Sequence, residues 1–262
     1  MHQYLFFIGN FPIRLYGIFF SLGIISGCIT AYFLLKKDRQ GWESHMFDLG
    51  LVIAFAGIIG GRLWDVLFFD WEYYHNHLLE IPYVWQGGMA IQGGIIFACI
   101  AAYFYLKKNQ IPVLPFADIV TPGIILGQAV GRIANFMNGD AFGHPTGQDF
   151  GLLYPDTTLA YHTYGAQPLW PAEVWECQGD LLIFVLLLWY GCKTRAEGTT
   201  FCLYIMFYSL LRFFLENYRG DYGTLALGLK SAQITSLVAF AGAFILFLYF
   251  HFKHKSKSGI SE

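Results

Sequence analysis

The chain has 262 residues, of which 56% are apolar, 19% aromatic and only 13% charged, and its formal net charge at pH 7 is −2. A soluble domain usually carries about 25% charged residues, so this chain has too few polar side chains to cover a globule in water. The composition also excludes a disordered chain and a disulfide-rich secreted scaffold, and it provides no basic field for nucleic acid. We therefore expect an integral membrane protein.

Seven apolar segments are candidates for membrane-spanning helices, because a bilayer core about 30 Å thick needs about 20 helical residues. They cover roughly residues 15–35, 47–69, 88–106, 113–137, 177–191, 199–216 and 232–252. The sequence thus predicts an all-α, polytopic membrane protein with about seven transmembrane helices. We expect one transmembrane domain over residues 1–252 and a polar cytoplasmic tail over residues 253–262.

Basic residues follow every second predicted span, which indicates an orientation. Ten of the sixteen lysines and arginines lie after the first, third, fifth and seventh spans: Lys36, Lys37, Arg39, Lys107, Lys108, Lys193, Arg195, Lys253, Lys255 and Lys257. By the positive-inside rule the N-terminus lies outside and the C-terminus in the cytoplasm. The long loops then face outward, and we expect the function to lie at the outer side of the membrane.

The second predicted span contains an arginine, Arg62, which follows Gly57, Gly60 and Gly61 and precedes Asp65 by three residues. An arginine in hydrocarbon costs about 2.5–3.5 kcal/mol on insertion scales, so it needs a partner or a wet cavity. One interpretation is a self-neutralising Arg62–Asp65 pair beside a small-residue helix contact. The other is a cationic wall of a polar chamber.

The segment Gly87–Gly94, which reads GGMAIQGG, leads into the third predicted span. Paired glycines interrupt a helix and let backbone N–H groups approach a ligand. The segment is therefore either a plain turn or a re-entrant loop, and a re-entrant loop is tolerated at membrane depth only where it lines a cavity.

The fourth predicted span carries a glycine stripe, Gly123, Gly127 and Gly131, that predicts one flat face for close helix packing. Directly after the stripe comes Arg132, with no acidic residue within one turn before it to neutralise its charge. We therefore favour a ligand-binding role for Arg132 over a packing role.

Polar residues continue beyond Arg132 at the end of the same span. Asn135 and Gly139 share its helix face, and Asn138 and Asp140 lie close to the outer end. Structural glycines alone would not explain an arginine, two asparagines and an aspartate at the end of an apolar helix.

The sixth predicted span ends in LLRFFLENYRGDYG, residues 210–223. Arg212 and Glu216 are four residues apart and can satisfy each other. Arg219 lies on the outer side, which carries few positive charges. Two interpretations stay open for it: an anchor whose side chain reaches the interface, or a cation that binds a ligand.

No nucleophile or metal motif is present in the sequence: it contains no G-x-S-x-G elbow, no Walker lysine motif and no H-E-x-x-H. We expect neither a metal nor a cofactor. What remains is a set of arginines and amides near the outer leaflet. A guanidinium group binds phosphate through two parallel hydrogen bonds, and a lipid phosphate is the natural anion at that depth.

The sequence resembles the prolipoprotein diacylglyceryl transferase family over most of its length. The most specific match is GRIANFMNGDAFGHPT, residues 131–146. Three further matches follow the order expected for the family, GGRLWDVLF at 60–68, GGMAIQGG at 87–94 and LRFFLENYRGD at 211–221.

The resemblance implies transfer of the diacylglyceryl group of phosphatidylglycerol to the lipobox cysteine of a prolipoprotein signal peptide, with release of glycerol-1-phosphate. The nucleophile then belongs to the substrate, which would explain why the chain shows none. The implied partners are phosphatidylglycerol, the prolipoprotein and the lipid bilayer, without nucleic acid, and the implied location is the bacterial plasma (inner) membrane.

Residue by residue, the resemblance assigns catalytic roles to Arg132, Arg219 and Asp140. It assigns substrate binding to Arg132, Asn135, Asn138, Gln92, Gly93, Gly94, Tyr16, Arg62 and Glu216.

Three positions depart from the family pattern: Gln92 replaces the usual histidine, Asp140 replaces the usual glutamate, and WPAEVWE at 170–176 replaces H-P-x-x-L-Y-E. Glutamine cannot accept a proton near neutral pH, so the base that removes the thiol proton is open, with Asp140 and His144 as candidates. The alternatives to the ordinary activity are a paralogue with another acceptor and a non-catalytic phospholipid-binding or transport protein.

Overall fold

The computed structural model describes residues 4–8, 11–38, 40–191, 196–220 and 228–258, and these are predominantly helical. The helices in these ranges are α1 Leu15–Asp38, α2 Met46–Phe68, α3 Trp71–Tyr74, α4 Ile91–Lys108, α5 Val113–Asn138, α6 Leu159–Tyr164, α7 Ala172–Gly191, α8 Thr199–Leu215 and α9 Ser231–Ser258. Short 3₁₀ turns occupy Trp42–His45, Leu78–Glu80 and Val84–Gln86. Arg39, Lys193 and Arg195, which entered the orientation argument, lie outside the described residues.

Each apolar segment expected from the sequence coincides with a long helix. Within the described ranges, four stretches have both the length and the apolar composition to cross a membrane: Leu15–Asp38, Trp42–Phe68, Val113–Asn138 and Ser231–Ser256. The helical, polytopic membrane character predicted from the composition is thus supported. The count of seven crossings and the orientation stay predictions.

A short antiparallel β-hairpin departs from the all-α expectation. Strand β1, Tyr4–Ile8, pairs with strand β2, Phe11–Arg14, and Phe6 lies opposite Ile13. The sequence carries the signal for it, because a Gly-Asn pair separates two short apolar runs, a pattern typical of two-residue hairpins. The hydropathy argument missed the hairpin because it considered only segments of membrane-spanning length.

The chain divides into two compact units. The larger unit contains residues 1–34 and 117–262, and the smaller unit contains residues 35–116. The single transmembrane domain over residues 1–252 stays a prediction.

In the larger unit, α1 and α5 pack backbone against backbone. A Cβ atom on Gly27 would lie 2.7 Å from the carbonyl oxygen of Gly123, and one on Gly23 would lie 2.7 Å from that of Gly127. Only glycine permits this approach. The predicted packing stripe is confirmed for Gly123 and Gly127. The contact is looser at Gly131, whose backbone nitrogen would lie 3.6 Å from a Cβ on Gly23, while a Cβ on Gly131 itself would meet no neighbouring helix among the described residues.

The N-terminus of α8 is capped by a side chain from α5. Asp118 accepts hydrogen bonds from the backbone N–H groups of Gly198, at 2.7 Å, and Phe201, at 2.9 Å. The first N–H groups of a helix have no partner within the helix, so an acidic side chain there satisfies them and complements the helix dipole. This cap fixes α8 against α5, which matters because the two helices carry Arg212 and Arg132.

The segment between α5 and α7 folds over a small core of its own. Phe142, Tyr154, Ala160 and Leu169 are its buried residues. The segment is joined to the end of α8 because the N–H of Gly220 donates to the carbonyl of Phe142 at 3.0 Å. The residues that follow α5 and those that follow α8 are therefore held side by side.

In the smaller unit, α2 and α4 also pack through glycines. A Cβ on Gly60 would lie 2.5 Å from the carbonyl oxygen of Gly93, and one on Gly61 would lie 3.3 Å from that of Ala90. The Gly60–Gly61 pair in α2 thus faces the first turn of α4, which confirms a small-residue contact in this span.

Candidate active site

Arg132 lies in the last two turns of α5 and makes three polar contacts. Its Nη1 donates to Oδ1 of Asn135 at 3.2 Å. Its Nη2 donates to the Tyr208 hydroxyl at 3.2 Å and forms an ion pair with Oε1 of Glu176 at 2.8 Å. The Arg132 side chain keeps 19% of its surface exposed, compared with 14% for Arg212 and 5% for Arg219.

Asp140 is held by two amides from α5. Nδ2 of Asn135 donates to its Oδ1 at 2.6 Å, and Nδ2 of Asn138 donates to its Oδ2 at 2.8 Å. Because the amide of Asn135 points toward Asp140, its Oδ1 is turned toward Arg132. The structure thus brings together the four residues that the sequence placed at the end of the fourth span.

Backbone strain accompanies this arrangement. Ala141, directly after Asp140, has a φ of 59°, which lies in the left-handed region. A non-glycine residue there costs about 1–2 kcal/mol and persists only when the surrounding structure enforces it. The buried Phe142 next in sequence supplies that constraint by anchoring the segment in its core.

Glu176, near the start of α7, is the centre of the charge network. Its Oε2 lies 3.2 Å from Nη1 of Arg212 and 3.3 Å from Nη1 of Arg219, and its Oε1 is the partner of Arg132. The Glu176 residue is fully buried. One carboxylate is therefore shared by three guanidinium groups, so it cannot neutralise all three.

A second buried carboxylate, Glu216, extends the network. It accepts Nη2 of Arg212 at 2.8 Å, as the spacing of four residues predicted, and lies 3.9 Å from Nζ of Lys230. The pair does not close on itself, because the other terminal nitrogen of Arg212 reaches Glu176. Arg219 is buried, at 6% exposure, which favours the ligand-binding interpretation over an interfacial anchor.

Tyr16, from α1, adjoins the same network. Its hydroxyl is electrostatically coupled to Asp140 and Arg132. The side chain is 36% exposed and stacks on Phe20. The substrate-binding role predicted for Tyr16 stays a prediction.

Sequence reasoning missed a column of three fully buried acidic residues on one face of α7, Glu173, Glu176 and Asp180. Their spacing of three and four residues puts them on one helix stripe, and acidic residues repeated along one face of an apolar helix were the signal that could have found them. The Tyr154 hydroxyl donates to Glu173. Burial first, and then the charge of Glu173, raises the pKa of Tyr154, so its hydroxyl keeps its proton.

Arg62, in the smaller unit, has a different kind of environment. Its nitrogens donate to four backbone carbonyls: those of Ile81 at 2.8 Å, Gly87 at 2.7 Å, Gly88 at 3.0 Å and Glu80 at 3.1 Å. Its guanidinium carbon lies 4.8 Å from the centre of the Tyr74 ring. Arg62 thus clamps the loop between α3 and α4, and its predicted contact with substrate stays a prediction.

Gln92, Gly93 and Gly94 lie in the first turn of α4, so this part of the glycine-rich segment is helix rather than loop. Gln92 is exposed, whereas Gly93 is buried against α2. The substrate-binding roles predicted for these three residues stay predictions. Among the described residues, no cluster of three histidine, cysteine or acidic side chains could hold a metal ion.

The family model of the prolipoprotein diacylglyceryl transferases matches residues 3–249. The chain belongs to this family. The chain is therefore an enzyme, a transferase. The arginine cluster lies within the region that the family model matches.

Individual relatives agree over nearly the whole chain. A protein of Clostridium botulinum strain Langeland is 34% identical over 251 residues, which cover 95% of this chain and 96% of the relative. One from Staphylococcus saprophyticus is 35% identical, covering 88% and 83%, and one from Geobacillus kaustophilus is 36% identical, covering 88% and 85%. All three are named phosphatidylglycerol–prolipoprotein diacylglyceryl transferase.

Proposed function

We propose that this chain transfers the diacylglyceryl group of phosphatidylglycerol to the thiol of a prolipoprotein lipobox cysteine and releases glycerol-1-phosphate, in the bacterial plasma membrane. The observation that carries the proposal is the sharing of one buried carboxylate, Glu176, by Arg132, Arg212 and Arg219. A membrane-embedded guanidinium whose ion-pair partner is shared with two other arginines is suited to an anionic lipid head group.

Arg132 is the guanidinium best placed to receive the lipid phosphate. Arg212 has a second carboxylate partner in Glu216, whereas the ion pair of Arg132 is with Glu176. Arg132 is also the more exposed of the two. A phosphate monoanion would take over part of the hydrogen bonding that Arg132 now gives to Glu176, and would bind through two oxygens.

The reaction then needs charge stabilisation more than covalent catalysis. The sulfur of the substrate cysteine attacks the glycerol carbon that carries the phosphate ester, and the bond between that carbon and the phosphate oxygen breaks. Negative charge grows on the leaving phosphate, where Arg132 stabilises it. The second cation is Arg219, and Asn135 and Asn138, held in place by Asp140, bind the head group.

The predicted orientation is compatible with this site. With the N-terminus outside, α5 ends, α7 begins and α8 ends on the outer side of the membrane. Arg132, Glu176 and Arg219 come from these three helix ends and are in contact. We therefore propose seven crossings, with the site at the outer leaflet, where a lipobox cysteine is presented.

Tyr16 and Glu216 would complete the substrate site of the larger unit. For the smaller unit, described by itself, we propose that Gln92 binds substrate through its exposed amide, with Gly93 and Gly94 shaping the backbone beside it. Arg62 would contribute by holding the loop that leads to Gln92.

The test is transfer by purified protein. Wild type, incubated with phosphatidylglycerol vesicles and a lipobox peptide, should give a peptide heavier by one diacylglyceryl group in mass spectrometry. Arg132→Ala should lower kcat by about 10²–10³-fold, because it removes a charge-stabilising donor. Arg132→Lys keeps a cation for Glu176 but loses the planar fork, so it should fold like wild type and still lose most activity.

Lys107→Ala, at the cytoplasmic end of α4, serves as the control and should behave as wild type. Full activity in Arg132→Lys would remove the bidentate phosphate contact from the mechanism. Binding of phosphatidylglycerol by wild type without any glycerol phosphate release would instead indicate a lipid-binding or transport protein.

A further inference from the structure

Glu173 begins the acidic column of α7 and has an oxygen that nothing in the described structure uses. The residue is fully buried. One carboxylate oxygen, Oε1, accepts the Tyr154 hydroxyl. The other, Oε2, is buried without a hydrogen-bond partner among the described residues. A buried carboxylate oxygen left without a donor is costly, so its retention calls for an explanation.

Two other acidic groups of the network, Asp140 and Glu176, have a partner on each oxygen. Both oxygens of Asp140 accept amide hydrogens. Both oxygens of Glu176 are paired with arginines, and its Oε1 also accepts the Tyr208 hydroxyl at 3.3 Å. These two carboxylates act as acceptors that orient their neighbours, and none of their four oxygens is left without a donor.

Asp180 and His144 are the other candidates for a group that accepts the thiol proton. Asp180 also has two buried oxygens without partners among the described residues, but it lies seven residues further along α7, about 10 Å deeper at 1.5 Å per residue. His144 contacts a carbonyl, that of Pro145, through Nδ1 at 2.9 Å. A carbonyl only accepts, so this nitrogen must carry the proton.

Glu173 is better placed than Asp180 to reach the thiol that attacks a lipid bound at Arg132. It lies one turn before Glu176, the partner of Arg132, and at the end of α7 that the orientation places outside. The charged and titratable groups acting on it are Arg219 and Asp140, together with Tyr154, so a cation adjoins it as well as an anion. A thiol approaching the phosphate of a lipid held by Arg132 would pass this end of the column.

We propose that Glu173 is the general base that removes the proton from the substrate thiol, an inference that rests on the proposed transferase activity. The S–H bond breaks and its proton goes to Oε2 of Glu173. The sulfur electron pair forms the new S–C bond, and the C–O electron pair leaves with the phosphate of glycerol-1-phosphate. The proton then passes from Glu173 to the departing phosphate or to water, which restores the carboxylate.

Two substitutions separate this role from a structural one. Glu173→Gln keeps the shape of the side chain and an oxygen for the Tyr154 hydroxyl but removes the base. Tyr154→Phe removes the hydrogen bond but keeps the base. If Glu173 is the catalytic base, Glu173→Gln should lower kcat by about 10²-fold or more, the usual contribution of general base catalysis. The melting temperature of the protein should not change. Tyr154→Phe should be less stable but should remain active.

The pH dependence supplies a readout that packing would not move. In wild type, kcat should fall toward low pH as the base becomes protonated. In Glu173→Gln the thiolate must form without help, so kcat should rise steadily up to about pH 8.5, the ordinary pKa of a thiol. The loss of kcat in Glu173→Gln, relative to wild type, should therefore become smaller at high pH. Retention of the wild-type profile by Glu173→Gln, or a deficit that is the same at every pH, would overturn the proposal.

Asp180→Asn, Asp140→Asn and His144→Gln complete the experiment, and each should keep the acidic limb of the profile. Loss of that limb in any one of them, with Glu173→Gln retaining it, would assign the base to that residue instead. Absence of transfer by wild type would refute the transferase activity itself, which distinguishes that outcome from a wrong choice of base.

Discussion

Two arginines within helices, Arg62 and Arg132, show how the same costly residue can be accommodated in opposite ways. Arg62 gives its hydrogen bonds to four neutral backbone carbonyls and rests against the Tyr74 ring, and it is 3% exposed. Arg132 depends on a carboxylate that two other arginines share, and its side chain is 19% exposed. Carbonyls satisfy the donors without forming an ion pair, so Arg62 has the environment of a structural clamp. Arg132 has only a shared carboxylate and stays partly exposed, which suits a binding site.

The largest expected effect comes from removing the shared carboxylate. Glu176→Gln should lower the free energy of unfolding by about 3–5 kcal/mol, because it leaves three guanidinium groups without the buried carboxylate that they share. Thermal unfolding in detergent measures it. Glu80→Gln is the matched control, because Arg62 uses only the main-chain oxygen of Glu80. Equal losses of stability in Glu176→Gln and Glu80→Gln would contradict the difference between Arg132, which depends on a side-chain carboxylate, and Arg62, which depends on main-chain carbonyls.

Arg62→Gln should lower the free energy of unfolding by about 2–3 kcal/mol, because it leaves several carbonyls without their donor. It should also expose the loop between α3 and α4 to limited proteolysis. Its kcat should change far less than that of Arg132→Lys. A loss of kcat as large as that of Arg132→Lys, with an intact loop, would instead favour direct contact between Arg62 and substrate.

The tightness of the clamp can be tested at two adjacent glycines. Gly87 and Gly88 have φ values of 95° and 70°, so alanine is strained at either, by about 1–2 kcal/mol. Only at Gly88 would a Cβ meet Arg62, at 2.6 Å from Nη1. Gly88→Ala should therefore destabilise the protein more than Gly87→Ala in the same unfolding measurement. The reverse order would contradict the clamp geometry.

The smallest effect should come from the ring above Arg62. Tyr74→Leu removes the cation–π contact and should cost about 0.5–1 kcal/mol, whereas Tyr74→Phe keeps an aromatic face and should cost less. Both are read from the midpoint of denaturant unfolding. If Phe and Leu proved equivalent, the contribution of Tyr74 would be packing rather than attraction between ring and cation.

The amino-acid sequence by itself determined the membrane class, the helical segments and the block around Arg132. Hydropathy over about 20 residues is a local property, and so is the spacing that puts Arg132 and Asn135 on one face. The glycine stripe was also readable locally, although the sequence could not tell that Gly123 and Gly127 approach α1 so closely that a Cβ would clash and that Gly131 lies at a looser contact.

The tertiary structure decided which charges meet. Within the sequence Arg132 has no acid nearby, and its partner Glu176 lies 44 residues further on, in another helix. The same holds for Asp118, which caps a helix that starts about 80 residues later. Ion pairs between helices depend on which faces pack together, and no local pattern encodes that choice. For the same reason only the fold could separate Arg62, whose partners are main-chain carbonyls, from Arg132, whose partner is a shared side chain.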